Sequence, residues 1–216
     1  MSTFLRNPSA SYNRFAGQSA ERIGSLSDGV FAFAMTLLVL DLRIPIAGAI
    51  HSEAGLRQAL GNLEPNLLTY FLSFMTLGMF WVGEHTQLSR IKHAERGFTW
   101  IHLAFLLMVT LVPFSTKLLA AFITYRTALV IYWLNLLGLG ATLYWSWEYV
   151  RKANLLKEGT AEEIFVLARG RIFIAQGLYA IAMLFCFIDN YISIALIVLI
   201  QLNFVFAPPL GILRRF

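Results

Sequence analysis

An arginine and an aspartate stand inside an otherwise apolar helix. Residues 21–42 read E-R-I-G-S-L-S-D-G-V-F-A-F-A-M-T-L-L-V-L-D-L, and only twelve uncharged residues separate Asp28 from Asp41. Twelve residues cover roughly 18 Å at ~1.5 Å each, whereas a bilayer core of about 30 Å needs ~20 residues. A helix spanning from Arg22 to Leu42 must therefore carry its charged end into the membrane. Intramembrane charge is costly, faces away from lipid and marks ion or substrate pathways, which singles this segment out as the functional element.

At 3.6 residues per turn, Gly29, Phe33, Thr36, Leu37 and Leu40 form one stripe. Ser27 and Asp28 lie well round the helix from it, toward a neighbouring helix. Arg22 and Asp28 are six residues apart, the wrong spacing for an intrahelical ion pair, so their partners must come from another helix or another subunit. Trp81, Glu84 and His85, at the end of the next apolar run, have the right depth to complete a polar cluster. On residue type alone two readings stay open. Arg22, Ser27, Asp28, Trp81 and His85 serve either as packing anchors or as contacts for a permeating species. Phe33, Leu37 and Leu40 fit a lipid-facing or core stripe as well as a pore.

The elements that must position these residues are all apolar helices. Hydrophobic residues make up 58% of the chain and charged residues 13%, against roughly 45–50% and 25% in soluble domains. Five further uncharged runs follow: Pro65–Gly83, Phe98–Thr116, Thr127–Trp147, Ile172–Ile188 and Asn190–Leu213. The expected fold is an all-α membrane protein with six transmembrane helices, residues 1–20 forming a polar N-terminal arm and 21–216 a single membrane domain. Ser19 is positioned to cap the first helix and Pro45 to end it. Leu56, Ala59 and Leu60 suit a short amphipathic surface helix. Thr160 and Glu163 have capping-box spacing.

With the N-terminus inside, 13 of the 17 basic residues fall on the cytoplasmic side, as the positive-inside rule requires. Both termini are then cytoplasmic, in an integral protein of the cell membrane. The net charge of +5 is a topology signal, not a nucleic-acid patch. The lone Cys186 excludes an internal disulfide. The four histidines lack metal-ligand spacing, no phosphate loop or nucleophile elbow occurs, and no cofactor is expected. An enzyme does not fit the pattern, and the inverted repeats and broken helices usual in transporters are not seen. A secondary transporter of a small ion or solute and a non-conducting structural membrane protein remain the alternatives to a channel.

The segment Arg22–Asp28, R-I-G-S-L-S-D, resembles the R-x-x-x-F-S-D signature of the transmembrane protein 175 family of potassium-permeable channels. The G-V-F-A-F-A-M-T-L-L-V-L that follows is similar to that family's first helix, and Trp81–His85 resembles its second-helix pattern. The resemblance covers the whole chain and implies a homotetramer in membrane lipid, with four first helices around a central K+ pathway. It implies hydrophobic layers at Phe33, Leu37 and Leu40, a selectivity-modulating hydroxyl at Thr36, and anchoring of the pore helix by Arg22, Leu26, Ser27, Asp28, Trp81 and His85. Three positions depart from the pattern. Leu26 replaces the motif phenylalanine, Phe33 stands where the family usually carries Ile or Leu, and Glu84 replaces a second histidine found in many relatives. No T-V-G-Y-G-like filter is present, so selection would rest on a hydrophobic neck crossed by partly dehydrated ions, with modest preference for K+ over Na+.

Overall fold

The computed structural model describes residues 19–43, 46, 48, 50–157 and 162–206. Among the described residues seven α-helices run in chain order: α1 (Ala20–Val39), α2 (Glu53–Gly61), α3 (Glu64–Leu88), α4 (Arg96–Ala121), α5 (Arg126–Lys152), α6 (Glu162–Leu184) and α7 (Asn190–Phe206). A 3-10 turn, Phe185–Phe187, extends α6. Five segments are long and apolar enough to cross a membrane: α1, α3, α4, α5 and Ile164–Phe187. The sixth apolar helix, α7, has 17 described residues. Residues 1–18 of the expected arm, Pro45, Thr160 and the stretch 207–216 lie outside the described residues.

Local chemistry explains the boundaries. Ser19 caps α1, its hydroxyl accepting the Arg22 N–H at 3.2 Å, and Ser52 caps α2 through Gly55 N–H at 3.0 Å. Pro65 occupies the first turn of α3, where its missing donor costs nothing. Beyond α5, Asn154 takes a positive φ of 53° and Leu155 N–H returns to the Val150 carbonyl at 3.0 Å, the closure that stops a helix with a left-handed residue. α3 continues past Gly83 to Leu88, because nothing between them breaks helical hydrogen bonding. α2 is the expected amphipathic helix and has no buried residue.

Successive long helices alternate in direction, and both sets of connections are tied together. At the N-terminal end of α1, Lys92 N–H donates to Leu155 O and Lys157 N–H to Arg90 O, each at 2.9 Å. At the opposite end Asn190 Nδ2 donates to Ile123 O at 2.8 Å and Arg126 Nη2 to Phe187 O at 3.1 Å. One apolar cluster joins α1 to α3, α4, α5 and α6 through Phe31, Leu38, Leu77, Phe105, Val109, Leu139, Trp147 and Phe165. A second joins α3 to α7 through Leu72, Leu119, Leu129, Leu136, Tyr179, Ile194 and Ile197.

Lipid is as apolar as leucine, so helices in a bilayer associate through close packing and hydrogen bonds rather than through expulsion of water. Both are present. Tyr132 hydroxyl lies 3.2 Å from Ser73 Oγ and 3.1 Å from Thr76 Oγ1. Thr116 donates to Ser73 at 2.6 Å, and Gln201 Nε2 to Thr76 at 2.6 Å. Four helices are thereby cross-linked in the interior. Close approach occurs at Gly140 on α5, where any Cβ would overlap the Gln176 amide of α6. That amide donates to Leu136 O at 3.2 Å.

Gly140→Val should therefore lower the stability of detergent-solubilised protein by about 1–3 kcal/mol, as overpacking does. Gly177→Ala, where a Cβ meets open space, should leave the thermal midpoint unchanged or slightly higher. Equal midpoints for both variants would mean that α5 and α6 do not pack through Gly140.

Candidate functional site

α1 has two faces of different character. Ile23, Ser27, Phe31, Ala34 and Leu38 are buried, at steps of four, four, three and four, and they pack against α3 and α4. The other face is open. Phe33 is 66% exposed and Leu40 68%, with Gly29 and Thr36 also exposed and Leu37 half-buried. The stripe read from helical periodicity is thus the face of α1 that this subunit leaves uncovered. Beside it, Gly29, Val30, Phe33 and Leu37 border an apolar groove of about 380 Å³ closed on the far side by Thr110 and Pro113 of α4. Thr36 Oγ1 donates its proton to Phe33 O at 2.8 Å, so its oxygen keeps free lone pairs.

The charged end of α1 is anchored by two separate contacts. Asp28 Oδ1 accepts the Trp81 indole N–H at 2.8 Å, linking α1 to α3 at the edge of the open face. Ser27 faces inward, fully buried, with its oxygen 2.7 Å from His102 Nε2 on α4. The Ser27 hydroxyl proton goes to Ile23 O at 3.0 Å, so its oxygen accepts and Nε2–H of His102 is the donor. That assigns the imidazole tautomer from the network. Glu84 of α3 places Oε1 3.2 Å from the same nitrogen. The His102 proton points at Ser27, and Glu84 Oε1 is left buried without an in-line donor. One turn further along α3, Gln87 Oε1 accepts from Ser146 of α5 at 2.9 Å.

Among the residues singled out from sequence, the fold brings together Ser27, Asp28, Trp81 and Glu84 at one end of α1. His85 is exposed and stacks on Trp81 with ring centroids 5.9 Å apart, outside the buried cluster. Arg22 and Leu26 are exposed on the open side, and the Arg22 guanidinium has no hydrogen bond or ion pair with a described residue of its own chain. The expectation that its partner comes from another helix or another subunit is not met among the described residues of this chain. His102 was not singled out as a site residue. Its signal was available, since it is the one ionisable side chain in the run Phe98–Thr116, and a buried imidazole in lipid needs a polar partner.

The geometry separates the two anchors energetically. His102→Ala should destabilise the protein by about 2–5 kcal/mol, because it removes a buried ring packed against Phe98 and Phe105 and leaves a cavity in its place. Ser27→Ala should cost about 1 kcal/mol, the worth of one hydrogen bond. Thermal melts in detergent check the order; a larger loss for Ser27→Ala would show that the hydrogen bond outweighs the packing of the His102 ring.

Comparison with known proteins converges on one group. The family model described as endosomal/lysosomal potassium channel TMEM175 matches residues 22–113, from the arginine of α1 to the proline of α4. A potassium channel of Chamaesiphon minutus is 30% identical over 188 residues, 85% of this chain and 92% of the relative. A potassium channel of Streptomyces collinus is 37% identical over 102 residues, 47% of this chain and 48% of that one. Among solved structures, the lysosomal potassium-selective channel TMEM175 homolog from Chamaesiphon minutus superposes with a TM-score of 0.75 at 27% identity, covering 87% of this chain and 97% of that chain. Alternating apolar helices, an anchored charged helix and near end-to-end similarity together make the chain an integral membrane protein of the TMEM175 family.

Proposed function

We propose that this protein is a potassium-permeable channel in which four copies surround a central path lined by α1. The observation that carries the reading is the open face of α1: Phe33 and Leu40 are 66% and 68% exposed, while the opposite face is fixed by hydrogen bonds to α3 and α4. A helix with one face pinned and the other bare meets either lipid or a partner, and closed symmetry supplies the partner from identical copies. The names of the relatives, potassium channels in both bacteria, support K+ as the permeating ion.

In this reading Phe33, Leu37 and Leu40 stack as hydrophobic layers, and Thr36 offers an oxygen to an ion that has shed part of its shell. Arg22, Leu26, Ser27, Asp28, Trp81 and His85 hold α1 at its foot rather than meet the ion. K+ gives up water more readily than Na+, so an apolar neck favours it weakly. Four Phe33 rings make a narrower and more easily dewetted layer than aliphatic side chains would. α7 completes a sixth span: its 17 described residues cover ~26 Å at ~1.5 Å each, and the uncharged run continues to Leu213. The basic residues place both termini in the cytoplasm of a plasma-membrane protein.

Purified protein in vesicles should pass K+ in preference to Na+, and light scattering should give the mass of a tetramer. Sodium permeating as well as potassium would remove the neck mechanism, and a conducting monomer would remove the shared pore. Phe33→Ala should widen the neck and raise K+ flux on the order of tenfold without loss of tetramer. That tenfold corresponds to lowering a dewetting barrier by about 1.4 kcal/mol. Unchanged flux would place the constriction elsewhere.

A further inference from the structure

The end of α1 remote from its polar foot carries a second charge arrangement. Asp41 follows directly on Leu40, the outermost residue of the open stripe, and it sits just beyond the C-terminus of α1. A carboxylate there meets the negative end of the helix dipole and is disfavoured. Lys117, near the end of α4, answers it: Nζ lies 3.1 Å from Asp41 Oδ1, with the lysine side chain 61% exposed and the aspartate 21%. Asn66 Nδ2 of α3 donates to the Asp41 carbonyl at 3.4 Å, fixing the same turn. Arg43, two residues on, is exposed.

We infer that Lys117 is a conductance-setting residue, neutralising Asp41 at the mouth of the pore. The inference rests on the channel reading above. Four-fold repetition turns the pair into a ring of four carboxylates, each capped by an ammonium, immediately outside the last hydrophobic layer. Opposite charges about 3 Å apart cancel at the distance of an approaching ion, so the mouth exerts little pull on cations. Without the lysine, four carboxylates would lose their nearest cation, leaving only the exposed Arg43 two residues on, and would draw more K+ to that end, as charged clefts do for their ligands. Without the aspartate, four unpaired ammonium groups would repel it. Lys117 thus acts on the ion through the field and through the position it gives Asp41, not by coordination. Because the pair lies at one end of the pore, its effect falls on current drawn from that side.

Single-channel recording of the full-length protein in planar bilayers tests this with Lys117→Gln, Asp41→Asn, the double variant and Lys117→Arg. At about 0.01 M K+, where screening extends ~30 Å, Lys117→Gln should raise conductance from the Asp41 side on the order of threefold. Asp41→Asn should lower it by a similar factor, and the double variant and Lys117→Arg should return close to the parent. At about 1 M, where the screening length is ~3 Å, all five proteins should converge. Shifts in the same direction for both single variants, or shifts that persist at high salt, would make the pair a structural tie and overturn the proposal. Equal conductance at low salt would overturn it as well. Absence of K+ current in the parent protein would instead overturn the channel reading, and this inference with it.

Discussion

The buried contact of Ser27 with His102 governs much of what the first helix can do. In hydrocarbon no water stands in for a missing partner, so a polar side chain on a spanning helix must find its bond within the protein. Ser27, held at 2.7 Å from His102 Nε2, fixes the rotation of α1 about its axis. With that rotation set, Phe31, Ala34 and Leu38 face the bundle and Phe33, Thr36 and Leu40 face away. A slip of one residue would turn Ser27 by 100° and carry its oxygen away from the imidazole.

The same rule accounts for the rest of the bundle. Serine, threonine, tyrosine and glutamine side chains cross-link α3, α4, α5 and α7 around Tyr132, and glycine lets α5 approach α6. Apolar clusters fill the space between these ties. Such a subunit is cross-linked around its interior and open along one face of α1. The two faces of this helix thus differ in kind: the inward face locks the subunit, and the outward face is left open by it.

Glu84 is where this family member departs from a simple anchor. A fully buried carboxylate beside a histidine whose proton is already engaged costs more than an apolar residue would. Trp81 works differently, holding Asp28 at 2.8 Å from a half-exposed position, so the aspartate stays tethered while its surroundings remain open.

Sequence by itself determined the broad plan. Long uncharged runs dictate spanning helices, basic residues between them dictate an alternating path, and the spacing of Gly29, Phe33, Thr36, Leu37 and Leu40 dictates a single stripe, because helical geometry is local. Ser19 capping α1 and the surface helix at Glu53–Gly61 were legible for the same reason. The tertiary structure decided which partner each polar group takes. It paired Asp28 with Trp81, passed over His85, and brought His102 to Ser27 across 75 positions of chain. It also set Lys117 against Asp41. Those choices depend on distances between helices, and no periodicity within one segment encodes the distance to another.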